Sequence, residues 1–220
     1  MAHAPADGHG QVYDPHHKFQ YHGFKQQFHA AKFGMWLFLG QEILFFGVLL
    51  CAYAFYRNQY PAAFEACSKH LNRPFGAIET VDLLVSSYFV AISIHYIRLG
   101  KKNITAFLLL LTILCGFIFL GMHSSEYYHE YQEGFLPGKF FHGEIHSPGA
   151  PMFFAVYFFL TGVHSIHVAI GIGVLIWLLV RTLQGRFDPT YNTPVELIGL
   201  YWHLVDLIWI FLFPLLYLIG

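Results

Sequence analysis

Five side chains in this 220-residue sequence are of types that do chemistry, yet each sits among almost wholly apolar neighbours. They fall into three clusters: Glu42 in WLFLGQEILFFGVLL, His164 with His167 in FLTGVHSIHVAIG, and His203 with Asp206 in YWHLVDLIW. A carboxylate inside an apolar helix is costly when ionised, so it faces a protein interior or a cavity and tends to hold its proton there. Glu42 is therefore the first functional suspect, and His164 or His167 are the partners to look for. The i, i+3 spacing puts the two members of each of the other clusters on one helix face. Haem ligation is the sharpest chemistry open to such residues, since a bis-histidine haem takes axial imidazoles from facing helices. His95, His123, His164, His167 and His203 are the residues that could supply them. They do not fall in matched pairs at one depth on two helices, and no CxxCH is present, so structural or lipid-contacting histidines are the favoured reading.

Positioning these groups falls to long apolar elements. Phe33 to Tyr56, between Lys32 and Arg57, is a run of ~24 residues, or ~36 Å of helix, enough to cross a ~30 Å hydrocarbon layer. Four more such runs follow. The spans read as 32–56, 78–99, 104–131, 148–181 and 194–219, which makes the fold class all-α: a polytopic transmembrane bundle of five helices. Local signals mark their ends: Thr80 as N-cap and Gly100 as stop for the second, Ser147-Pro148 as cap and first residue of the fourth, and the capping box Thr193-Pro194-Val195-Glu196 for the fifth. Gly162, Ser165, Ala169 and Gly173 form a small-residue stripe along the fourth, of the kind that lets helices approach closely in lipid. The connector from Arg57 to about Ala77 has room for a short interfacial helix.

Composition agrees with the membrane reading. The chain is 56% hydrophobic and 11% charged, where soluble domains carry about a quarter charged residues. A net charge of −1 gives no basic footprint for nucleic acid. Cys51, Cys67 and Cys115 form neither a CxxC nor a disulfide framework. Residues 1–27 carry His3, His9, His16, His17 and His22 among Gly and Pro and read as a solvated polar arm, without the apolar centre of a secretory signal. With five crossings, Lys18, Lys25, Lys32, Arg98, Lys101, Lys102, Arg181 and Arg186 gather on the N-terminal side, leaving Arg57, Lys69, Arg73 and Lys139 opposite. The positive-inside rule then places the N-terminus in the cytoplasm.

Four motifs, in order and at matching spacing over about Lys32 to Gly220, resemble subunit III of the haem-copper oxidases. They are GQEILFFGVLLCAYAFYR with Glu42, SSEYYHEY with Glu126, TGVHSIHVAIG with His164 and His167, and YWHLVDLIWIFLFPLLYLIG with His203 and Asp206. The chain is similar to the five-helix bacterial form that lacks the first two of the family's seven helices. The resemblance implies a subunit without haem or copper of its own, in the bacterial cytoplasmic (inner) membrane, packed with oxidase subunits I and II, which would hold those metals. It implies a role supporting oxygen reduction coupled to proton pumping. Positions matching His164, His167 and Arg181 would contact phospholipid, Glu42 would be an intramembrane carboxylate, and Glu126, His203 and Asp206 a helix-packing polar network. No catalytic or metal-binding residue is expected. Cytochrome c is the expected donor to the complex, with subunit III of a quinol oxidase or the related nitric oxide reductase subunit as alternatives, and a haem-binding membrane cytochrome as the alternative from a different class.

Overall fold

A computed structural model describes residues 24–137, 141, 145, 147–187 and 191–219; the arm up to residue 23, with five of its histidines and Lys18, and the loop residues Lys139 and Glu144 lie outside the described residues. The elements are α1 (Phe24–Gln59), α2 (Pro61–His70), α3 (Arg73–Arg98), α4 (Lys102–Gln132), α5 (Ala150–Leu183) and α6 (Thr193–Phe213), the last running into a wider turn, Pro214–Leu218. Five of them are long and apolar enough to cross a membrane. Two compact units are distinguished, Met1–Gln41 and Glu42–Gly220. In the first, the described residues open α1 and expose Phe33, Trp36 and Leu37. All that follows concerns the second.

The helices outrun the apolar segments that announce them, and the differences have local causes. The connector after α1 does contain a helix, α2, started by Pro61. α3 begins at Arg73 rather than near residue 78: Asn72 caps it by accepting the Phe75 N–H at 3.3 Å, with Pro74 in the first turn. Thr80 is therefore not a cap but a mid-helix residue, donating its hydroxyl to the Gly76 carbonyl at 2.7 Å. The stop at Gly100 is as expected. With φ of 74°, it allows Lys101 N–H to reach back to Tyr96 O at 3.0 Å, closing α3 before a very short turn into antiparallel α4. The cap of α5 is Gly149 rather than Ser147, whose carbonyl instead accepts the Ala150 N–H. The N-cap of α6 is Asn192 rather than Thr193, and Glu196 binds Arg98 of α3 at 2.7 Å.

Packing centres on α6. Trp202 and Trp209 are fully buried, with Trp202 Nε1 donating to Ser86 Oγ of α3 at 2.9 Å. The close approach of α5 depends on Gly171, where a Cβ would come within 2.9 Å of the Trp202 ring. This corrects the small-residue stripe: Ala169 and Gly173 are exposed, nothing lies within 4 Å of a Cβ built on Gly173, and the packed face of α5 runs instead through Thr161, His164, Val168 and Gly171.

α3 and α4 turn a set of polar side chains inward and large apolar ones outward. α3 buries Glu79, Ser86 and Ser93 at heptad spacing while exposing Ile78, Val81 and Val85. α4 buries His123, Glu126 and Glu130 and exposes Phe107, Leu114, Phe117 and Tyr131. That inversion is what a helix pair shows when lipid rather than water lies outside. At the end of α6, Pro214 lacks the N–H that would continue the α pattern, and Ile219 N–H bonds five residues back to Pro214 O. This turn is pinned to α1 by Tyr53, whose hydroxyl donates to Leu215 O, and by Arg57, whose guanidinium donates to Ile219 O.

Candidate functional site

The suspects named from sequence do not converge on one site; the structure sorts them into separate neighbourhoods. Glu42 is buried, and its Oε2 lies 3.1 Å from His167 Nε2. The imidazole is held from its other side by Val163 O, 2.8 Å from Nδ1, and by the edge of Phe46, 5.2 Å between ring centres. A carbonyl can only accept, so Nδ1 carries a hydrogen, and Nε2 and Glu42 share one proton between them. The pair is then a neutral acid on a neutral imidazole, or a carboxylate with an imidazolium. Either way it is neutral overall, which suits a low-dielectric surround. The arrangement can hold a proton.

His164 points elsewhere. It is fully enclosed, stacked on Trp209 at 5.1 Å and edge-on to Phe119 at 5.6 Å, and neither ring nitrogen has a partner among the described residues. That removes it from any lipid-facing surface, correcting the expectation of a lipid contact. His203 Nδ1 lies 2.5 Å from Ser87 Oγ. Asp206, one turn on, is buried with neither oxygen hydrogen-bonded among the described residues. Arg181 ends α5 half-exposed, with its guanidinium 5.5 Å above the Trp177 ring. His95 is exposed in the last turn of α3.

Glu126 belongs to a group that sequence reasoning missed. Its Oε2 accepts the Tyr217 hydroxyl at 2.7 Å and lies 3.7 Å from His123 Nδ1, which is in turn 3.7 Å from Glu79 Oε1. All three residues are buried, and their ligand atoms lie within 4.8 Å of one another. With Thr80 as the N-cap, Glu79 falls outside the second helix; with the start at Asn72-Arg73-Pro74, Glu79, Ser86 and Ser93 fall at heptad spacing on one inward polar face. A second group, at the neighbouring end of α4, joins His70 of α2 to Glu133 at 2.7 Å and to Glu130 at 3.8 Å beside a cleft lined by Phe135 and Ile145. There the imidazole is already paired and close to water. Cys67, one turn before His70, is buried. Its thiol is pushed up to about 12, first by burial and then by the charge of Glu130, so it stays protonated and unreactive. On the exposed face of α2, the Lys69 ammonium 2.6 Å from Glu65 holds that carboxyl below its usual range.

The family profile described as cytochrome c oxidase subunit III matches residues 15–220. Among curated proteins, the chain is 35% identical to a probable quinol oxidase subunit 3 of Staphylococcus haemolyticus over 190 residues, 86% of this chain and 89% of that one. A protein of the same description from Staphylococcus aureus is 32% identical with the same coverage.

Proposed function

Since the chain belongs to the cytochrome c oxidase subunit III family, and so is a multi-pass inner-membrane subunit of a haem-copper oxidase, we propose that it works there without haem or copper of its own. It supports the catalytic subunit in oxygen reduction coupled to proton pumping, packs against subunits I and II, and contacts phospholipid. One observation carries the reading: of the histidines that could serve an axial haem, His167 and His203 each have a ring nitrogen engaged by a side chain, Glu42 and Ser87, and His164 lies face-on against the buried Trp209 ring. The wide apolar faces of α1, α3 and α4, with Ile43, Leu44, Val48, Val81 and Phe107 exposed, supply surface for both subunits and lipid. Arg181, with a donor fork suited to a phosphate, is the lipid ligand in this reading. The eight-to-four split of Lys and Arg supports a cytoplasmic N-terminus.

For the donor, the names of the relatives favour quinol over the cytochrome c expected from the sequence. The donor site itself belongs to another subunit. Two measurements test the proposal. The isolated full chain is expected to show no haem absorbance, and removing it from the complex to leave the haem spectrum unchanged; a stoichiometric haem band in the chain sinks the non-redox reading. Purified complex is expected to oxidise a quinol directly, and turnover with reduced cytochrome c alone would return the donor to cytochrome c.

A further inference from the structure

We propose that Glu79, His123 and Glu126 form a binding site for one redox-inactive divalent cation of the zinc class, inside the end of the bundle that carries α2. Three observations lead there. First, the groups are enclosed: all three side chains are buried, Glu79 and Glu126 about six residues or ~9 Å from the ends of α3 and α4 and His123 one turn deeper. Second, they are unpartnered. Neither oxygen of Glu79, neither nitrogen of His123 and not Oε1 of Glu126 has a hydrogen-bond partner among the described residues. Buried polar groups are almost always satisfied, and two adjacent carboxylates are the costliest to leave bare. Third, they are spaced around something. Both carboxylate oxygens stand 3.7 Å from the same nitrogen, His123 Nδ1, too far for a hydrogen bond. Ligand atoms ~2.0–2.2 Å from a common tetrahedral zinc stand roughly 3.3–3.6 Å apart, close to the spacing seen here.

Charge supports the assignment. Two carboxylates and a neutral imidazole around a dication sum to zero, which no arrangement of the bare ionised groups achieves without protons. Glu126 is held in place by the Tyr217 hydroxyl at 2.7 Å, the kind of outer hydrogen bond that orients a metal ligand. The second oxygen of Glu79 is free to close the coordination in a bidentate manner. His70, Glu130 and Glu133 lack this character, because their imidazole already has a carboxylate at 2.7 Å. The inference replaces the expectation of a wholly metal-free chain and stands apart from the donor reading and from the absence of haem and copper.

The test is zinc binding by the full chain in detergent, measured as metal content after dialysis against a weak chelator and as affinity by competition with an indicator. One zinc per chain is expected to survive dialysis. Affinity should fall on the order of a hundredfold in Glu79→Gln, since even outer partners of a metal site cost 10- to 100-fold. It should be unchanged when His3, His9, His16, His17 and His22 of the arm are replaced by Asn. Zinc-edge absorption of the unaltered chain, which needs no variant to fold, should show a nitrogen and oxygen shell with a single imidazole. Failure of the unaltered chain to retain zinc, zinc that follows the arm histidines, undiminished affinity in a folded Glu79→Gln, or a shell with sulfur or several imidazoles would each overturn the site.

Discussion

Two polar places lie inside the same apolar bundle, and they are built on opposite principles. The Glu42–His167 pair sits between α1 and α5 and is complete: one shared proton satisfies both partners, and Val163 fixes the ring. The Glu79–His123–Glu126 group, between α3 and α4, is better enclosed but incomplete: among the described residues only Tyr217 hydrogen-bonds to one of its oxygens. Burial alone therefore does not predict how a polar group is accommodated. A pair at hydrogen-bond distance needs only a proton, while a triad held at 3.7 Å needs something placed between its members.

The contrast can be broken by mutation, and the largest effect should come from the triad. Glu79→Ala removes one member of a buried charged set and should destabilise the chain by about 3–5 kcal/mol, seen as a lowered thermal midpoint in detergent and loss of the chain from the purified complex. A midpoint like the unaltered protein's would show that Glu79 is an ordinary neutral acid there. Glu42→Ala should cost less, about 1–3 kcal/mol, because it strands one imidazole nitrogen and opens a void. Glu42→Gln keeps a donor opposite His167 Nε2, so assembly and oxygen reduction should persist. If Glu42→Gln abolished oxygen reduction in an assembled complex with normal metal spectra, Glu42 would be a proton carrier rather than a packing partner.

Gly171→Ala and Gly173→Ala compare the two faces of α5 directly. The first drives a methyl into the Trp202 ring and should cost about 1–3 kcal/mol. The second points away from the protein and should be neutral or stabilising by up to about 1 kcal/mol. Equal effects on the thermal midpoint would mean that the small-residue stripe, not Gly171, is the packed face.

The smallest effect concerns Cys67, which reads the charge next to the paired cluster at His70. Its thiol is raised from 9.0 to about 12 in the folded chain. The folded state therefore holds this proton more tightly, and its contribution to stability is full below pH 9 and lost as pH rises towards 12. At pH 8, iodoacetamide should label Cys67 at least about tenfold more slowly in the folded chain than after unfolding in dodecyl sulfate. Glu130→Gln should speed the folded reaction modestly by removing the second cause of the shift. No change would mean that burial alone protects the thiol.

Which parts of this were legible in advance follows from what each signal measures. Hydropathy records the preference of a segment for lipid, a local quantity, so the five spans stand out from composition, and Gly100 stands out as a stop because the turn there requires positive φ. The motifs around Glu42, Glu126, His164 and His203 carried the family, since their order along the chain needs no coordinates. Helix ends were less legible: α3 starts in the polar Asn72-Arg73-Pro74 because a cap and a proline begin a helix whether or not its first turns meet lipid. Partners were legible only for Glu42, where His167 is one of the two histidines the sequence pointed to; the partners of Glu126 and His123 were not. Glu42 meets His167 across 125 residues, Glu126 meets Tyr217 across 91, and His123 gathers Glu79 from another helix. Such contacts depend on the rotational phase of each helix against its neighbours, which is set by Trp202 fitting over Gly171 and by the tight α3–α4 turn, and no single segment encodes it.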